Sequence, residues 1–424
     1  MADLQTLLTR ADAGDPDAQY AVANAYHLGL GGIEQHLPTA MRWYLKAATQ
    51  GHIDAQVNLG VIFIEDLARA GGSKNPEQAR RWFRRAADQG DPQAMFFMAR
   101  MLLDAADASE NLHQAEHWLE RAGDTGYAPA YNELGLIYSQ GKLLPADRAR
   151  AAAAFERGAK LGDARAQFNL AGCYLTGSGL EEDREQAAYW YRAAADQGLG
   201  DAQFNLALLL LASSDAQDRL HGLRWMAKAA DLGVSQAQYE IARRLRVGDG
   251  LPADALQAMH YYHEAAEQGH IEAQFSLGLM LEVGMGLDRP YPEEAAKWYR
   301  RLAERRVHAG AAHNLGILHA QGKGLPKDAR LAGELFELAI SLGGDDAMYS
   351  LGLLLLRGEG IEPDPVEAGK WALLAAQGDP SAEVQTLLDV ITQQLTPEQV
   401  EQAQARAAAW TRDEKTVRWT PAGR

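Results

Sequence analysis

Apolar residues along this chain recur at spacings of three and four, the period of a helix that buries one face. Two kinds of stretch alternate, each of about 12 residues, an ordinary length for a short helix. The first kind reads Ala166-Gln-Phe-Asn-Leu170 and runs to Gly177. The second reads Ala187-x-x-Trp190-Tyr191-x-x-Ala194-Ala195-x-x-Gly198. We name them A and B. The couple returns as Asp201-Ala-Gln-Phe-Asn-Leu-Ala207 followed by Gly222-x-x-Trp225-Met226-x-x-Ala229-Ala230-x-x-Gly233. One A-helix alanine marks every copy: Ala18, Ala55, Ala94, Ala130, Ala166, Ala202, Ala237, Ala273, Ala311 and Ala347. The intervals are 37, 39, 36, 36, 36, 35, 36, 38 and 36 residues. Such a period predicts a linear array in which no single helix pair buries its own apolar face and each relies on its neighbours.

Glycines punctuate both helices. Gly51, Gly90 and Gly126 follow B helices, and Gly29, Gly141 and Gly177 follow A helices, where a left-handed closing residue suits glycine. Gly177-Ser-Gly179 and Gly322-Lys-Gly324 follow helices rather than strands, so they are not phosphate loops. From the first B-helix alanine (Gly222 in unit six) to the next unit's marker is 15 residues in eight units. Length variation falls between A and B instead, as in 66–76 and 284–292. Helix B and its turn therefore dock on the next unit with fixed geometry, while the A–B loop is free to grow.

Seven of the nine tryptophans share one B-helix position: Trp43, Trp82, Trp118, Trp190, Trp225, Trp298 and Trp371. They are the expected repeat core. The Ala-Ala that follows, as at Ala86-Ala87 and Ala265-Ala266, lets backbones approach. Burying one such indole is worth about 3–5 kcal/mol against alanine. Seven equivalent aromatic ligand cages are implausible.

The pattern Ala-x-x-x-Leu-Gly-x-x-Tyr-x-x-Gly-x-Gly, then Ala-x-x-Trp-Tyr-x-x-Ala-Ala-x-x-Gly, resembles Sel1-like repeats, relatives of tetratricopeptide repeats. Unit three lacks the loop glycines, Ala154 replaces tryptophan in unit four, and Ser213-Ser-Asp replaces the turn in unit six. The resemblance implies an all-α fold, a right-handed superhelical solenoid of about ten antiparallel helix pairs. It further implies an adaptor that assembles protein complexes; in bacteria, such proteins serve signalling, secretion, envelope assembly and host contact. The disulfide-stapled branch of the family is not matched, since Cys173 is the one cysteine.

The expected layout is an N-terminal capping helix over 1–16, ten repeats over 17–380, C-terminal capping helices over 381–410, and a tail over 411–424 that is either frayed or a docking peptide. Thr396-Pro397-Glu398-Gln399 reads as a capping box opening the last helix.

Charge narrows the partners. Lys plus Arg total 41 against 57 Asp plus Glu, a net charge of −16. That surplus repels phosphate backbones and anionic bilayers. The longest apolar run, Leu206 to Ala212, falls far short of the about 20 residues of a membrane span. The N-terminus carries no basic and apolar leader pattern. The expectation is a soluble, cytoplasmic protein with a protein or peptide partner, no nucleic acid and no membrane insertion.

Catalytic chemistry finds little support. His260-Tyr-Tyr-His263-Glu264-Ala-Ala-Glu267 puts His263 and Glu267 on one helix face, but a zinc-hydrolase pair needs histidine at both positions. Cys173 sits mid-helix at an apolar position, and no strand–turn–helix nucleophile elbow exists. No catalytic residue, metal or cofactor is expected.

In the related tetratricopeptide geometry helix A lines a concave face. Its outward positions by register are Tyr20, Asn24, Phe96, Arg100, Phe168, Phe204, Leu208, Tyr239, Arg243, Arg246, Phe275, Leu279 and His313. Aromatic and arginine anchors there suit an extended or helical segment. Alternatively, Tyr20, Phe168, Phe204, Tyr239 and Phe275 pack against the next A helix, and Arg243, Arg244 and Arg246 are ion-paired. Three functions are carried forward: an adaptor, a dedicated inhibitor or immunity-type protein suited to a basic target, and a metal hydrolase using His263 and Glu267.

Overall fold

In a computed structural model, the described residues are 4–66, 74–104, 108–141, 145–378 and 381–412. The tail from residue 413, with Trp419, and the middle of the 66–76 loop lie outside them. Every regular element described is helical: 23 α-helices, a 3-10 turn at Leu30–Gly32 and a π turn at Ile62–Asp66. Helix α1 (Leu4–Asp12) precedes the array. A and B helices then alternate as α2 (Pro16–Leu28) and α3 (Leu37–Thr49), α4 (Ile53–Val61) and α5 (Pro76–Asp88), α6 (Pro92–Leu103) and α7 (Ala108–Asp124), α8 (Ala128–Gln140) and α9 (Arg148–Lys160), and α10 (Ala164–Thr176) and α11 (Arg184–Asp196). The second five pairs are α12 (Gly200–Leu211) and α13 (Ala216–Asp231), α14 (Ser235–Val247) and α15 (Ala255–Glu267), α16 (Ile271–Val283) and α17 (Pro292–Glu304), α18 (Ala309–Gln321) and α19 (Ala329–Ser341), and α20 (Asp346–Arg357) and α21 (Pro365–Gly378). Helices α22 (Ala382–Gln394) and α23 (Pro397–Ala409) follow.

The chain divides into two compact units, Met1–Leu206 and Ala207–Arg424, with the division inside α12. Within each, an A helix packs on its own B helix and each B helix packs on the A helix after it. Local chemistry sets the ends. Asp163 accepts the N–H of Ala166 at 2.6 Å and opens α10. Gly177, at φ 64, closes it, returning its N–H to the Cys173 carbonyl. After α3, Gly51 takes φ +97, and the His52 N–H reaches the Ala47 carbonyl at 3.2 Å. Unit eight departs from this rule: Arg306 occupies the glycine position at φ 54, the sole non-glycine residue with positive φ among the described residues.

The deepest contact of a repeat joins a bare A-helix backbone to a B-helix ring. A Cβ added to Gly60, Gly135, Gly278 or Gly316 would lie 2.4, 2.3, 2.5 or 2.7 Å from the rings of Phe83, Phe155, Tyr299 or Phe336. These rings belong to the residue after the tryptophan position, and Tyr44, Tyr191, Met226 and Tyr262 are buried there too. One residue is about 100° of helix rotation, so the indoles lie beside this seam. Trp82, Trp118, Trp298 and Trp371 are 7–8% exposed, whereas Trp43, Trp190 and Trp225 are half-buried. A cation three residues on covers several of them. Lys46 lies 3.9 Å from the Trp43 ring, Arg85 4.7 Å from Trp82, Arg121 4.8 Å from Trp118, Lys228 4.1 Å from Trp225 and Arg301 4.3 Å from Trp298. Such cation–π contacts also wrap apolar stem around the ring.

At the N-terminal end, Leu7, Leu8 and Trp43 pack around Ala11, Ala18 and Val22. At the other end, Thr396 and Gln399 form the reciprocal capping box of α23. Trp410 meets Trp371 edge-on at 5.6 Å.

Candidate partner-binding surface

A-helix side chains face three ways: into the preceding turn, toward the next repeat, and outward. The first set is a glutamine ladder. Gln19, Gln56, Gln167, Gln203, Gln238 and Gln274 follow the marker alanine and are all buried. Each donates its amide to a carbonyl eight residues back; Gln56 reaches Ala48 at 3.0 Å and Gln274 reaches Ala266 at 2.8 Å. In four repeats the glutamine at the B-helix C-cap donates in turn to the ladder oxygen. Gln50 reaches Gln19, Gln89 reaches Gln56, Gln197 reaches Gln167 and Gln268 reaches Gln238, each at 2.8 Å. In unit eight the C-cap is Arg305, and Gln274 Oε1 is buried without a partner.

The second set joins repeats through the cap of the next A helix. Tyr20 stacks on His52 at 4.5 Å, Tyr239 on His270 at 4.7 Å and Phe275 on His308 at 4.1 Å, and Phe96 meets Tyr127 at 5.5 Å. The three histidines are N-caps, with Nδ1 accepting the N–H of Ala55, Ala273 and Ala311. That fixes the proton on Nε2, where His270 faces Gln236 Oε1 at 2.9 Å. Burial holds His270 below its ordinary pKa, with Glu272 and Glu240 pulling the other way. Phe168 tilts against Tyr191 at 5.6 Å, and Phe204 is half-buried.

The outward set is smaller than the register implied. Asn24 accepts the Tyr44 hydroxyl at 2.6 Å, and His313 meets the Ser350 hydroxyl at 2.8 Å. Arg243 pairs with Glu240 at 3.2 Å and Arg244 with Asp249 at 2.6 Å. Arg100 and Arg246 are exposed, and Leu208 and Leu279 stand 44% and 38% open. Leu208, Arg243 and Leu279 occupy one register position on three successive A helices of the second unit.

In the first unit a cavity of about 590 Å³ gathers Phe96 and Arg100 with Asn132, Glu133 and Arg165. The last three escape a reading by register, although Asn132 interrupts an aromatic position and so marks the gap. Burial pushes the Glu133 carboxyl above the usual range, and Arg100 partly offsets it.

His263 and Glu267 line one pocket, where His263 stands edge-on to Trp298 at 5.9 Å and Glu267 pairs with Arg301 at 3.3 Å. No group of three or more His, Cys, Asp or Glu able to hold a metal occurs among the described residues. None of the described helices is long and apolar enough to cross a membrane.

Glycine-closed A helices, ring-bearing B helices and their tandem packing define a helical-repeat protein. The Sel1 repeat model matches residues 16–52, 53–91, 92–127, 128–163, 164–199, 200–234, 235–270, 271–306, 309–344 and 345–380, so the chain belongs to the Sel1 repeat family. It is similar to a protective antigen present in uropathogenic Escherichia coli strains that displays an SLR fold: 27% identity over 96% of this chain and 94% of that one, with a TM-score of 0.59. It is also similar to a Sel1 repeat protein from Oxalobacter formigenes, with 27% identity over 78% of this chain and 93% of that one and a TM-score of 0.52. No curated protein matches the chain.

Proposed function

We propose that this chain is a protein-binding scaffold that holds a partner segment against the outward positions of its A helices. Sel1 repeats are in general protein-interaction modules, and repeat surfaces vary while the architecture stays. The observation that carries the reading is the strip of exposed Leu208 and Leu279 with Arg243 between them in register. Apolar side chains open at a repeated position are what a partner would cover. Tyr20, Tyr239 and Phe275 serve a different role, since each stacks on the histidine cap of the next repeat.

The test is affinity capture from the native cell with wild-type protein and with Leu208→Asp plus Leu279→Asp. Both substitutions lie on exposed positions, so melting temperature stays within a few degrees. A partner recovered by the wild type and lost by the variant supports the reading. Equal recovery by both proteins, or no stoichiometric partner for either, overturns it.

A further inference from the structure

In the first unit, the second residue after the marker alanine is Phe96, Asn132 and Phe168 in successive repeats. Phe96 fills the space against the next repeat's cap, Tyr127. Asn132 is too short to do the same against the next cap, Asp163, and the cavity of about 590 Å³ opens there. Asn132 itself is only 7% exposed. Its Oδ1 accepts from Asn169 Nδ2 at 2.8 Å, and its Nδ2 bonds to none of the described residues. Two exposed guanidiniums, Arg100 and Arg165, line the same space, and neither is held in an ion pair with another of the described residues. Of the two carboxylates, Asp163 is committed to the Ala166 N–H at 2.6 Å, while Glu133 lies within reach of the Arg100 charge. Setting Glu133 against Arg100 leaves the Arg165 guanidinium and the Asn132 amide as donors beside the Phe96 ring.

We propose that the Asn132 cavity is a subsite for an acidic residue of a bound peptide, its carboxylate taken by Arg165 and Asn132 and its neighbouring apolar side chain laid against Phe96. The chemistry is that of a charge-assisted carboxylate pair in a partly desolvated niche. It rests on the reading of outward A-helix positions as binding positions, and names what one site within the first unit selects. An overall negative protein gains discrimination this way, because acidic segments are repelled everywhere except where arginines stand unpaired.

The experiment is selection of random octapeptides displayed on phage against the full chain, followed by affinity measurement of the recovered peptides. The expected result is Asp or Glu enriched at one position. Replacing that residue by Asn or Gln, or making Arg165→Ala, weakens binding about tenfold or more. Asn132→Phe refills the cavity and abolishes binding while preserving the melting temperature. Should Asn132→Phe fail to fold, Arg165→Glu serves on the exposed rim and shifts enrichment from acidic to basic residues. Recovered peptides with no acidic enrichment, or binding indifferent to both variants, overturn the subsite. If those peptides still compete for the Leu208 and Leu279 strip, the scaffold reading stands without it. Recovery of no peptide at all overturns the subsite, and the scaffold reading falls only if cellular capture is empty too.

Discussion

The imidazole of His270 lies nearly flat on the ring of Tyr239, with centroids 4.7 Å apart and planes 20° apart, while its Nδ1 accepts the Ala273 N–H at 3.2 Å. One side chain thus caps an A helix and bonds it to the repeat before. The capping role requires Nδ1 unprotonated, so a doubly protonated imidazole would lose the cap.

That requirement gives the array a pH dependence. His270, His313 and His319 are held below their ordinary value of 6.5, in each case chiefly by burial. The unfolded chain therefore binds these protons more readily than the folded one. Their contribution to stability is full above about pH 6.5 and is lost as pH falls below it. Melting temperature should be flat from pH 8 to 7 and fall toward pH 5.5. His270→Asn keeps a good cap residue and should flatten the slope. A slope unchanged in this variant would remove His270 from the account.

The glycine–ring seam makes a sharper demand. Gly278→Ala places a Cβ 2.5 Å from the Tyr299 ring, and overpacking of this kind costs about 1–3 kcal/mol. Chemical denaturation should show that loss, and Gly278→Ala with Tyr299→Leu should lose less than the two single changes summed. Additive losses would mean that the two residues do not share one contact.

The ladder predicts a stabilising change. Arg305→Gln offers the unpartnered Gln274 Oε1 the donor that four other repeats supply, and should raise stability by about 1 kcal/mol. Arg305→Leu, which offers no donor, is the control. Equal denaturation midpoints for the two variants would exclude the relay in this repeat.

Cys173 is buried, and that burial pushes its thiol pKa up. A disulfide reagent should leave the native chain unmodified and react fully once it is unfolded. Rapid reaction of the native protein would contradict the packing of α10.

The period, the helix pair and the glycine closures were legible in the sequence because they are local and recur in register. Tryptophan drew attention to the right helix face, yet the seam runs through the following residue. Which of two adjacent bulky residues points at a bare glycine depends on the crossing of two helices. Gln56 and Gln89 illustrate a deeper gap. Each reads as a surface amide until the fold brings Gln56 under the Ala48 carbonyl and Gln89 over Gln56. The recurrence of glutamine beside the marker alanine was the available clue. The outward positions carried two readings in the sequence, partner anchors or packing against the next repeat, and Tyr239 and Phe275 each stack on the histidine cap of the repeat after them. Asn132 carries the complementary lesson, since a break in a structural register leaves space that packing does not use.

The scaffold reading is tested most directly by hydrogen–deuterium exchange of the chain, alone and saturated with the partner recovered by capture. Slowed exchange should concentrate in the A helices α12, α14 and α16 and spare the B helices α13, α15 and α17. Protection confined to those B helices, with the A helices unchanged, would contradict it.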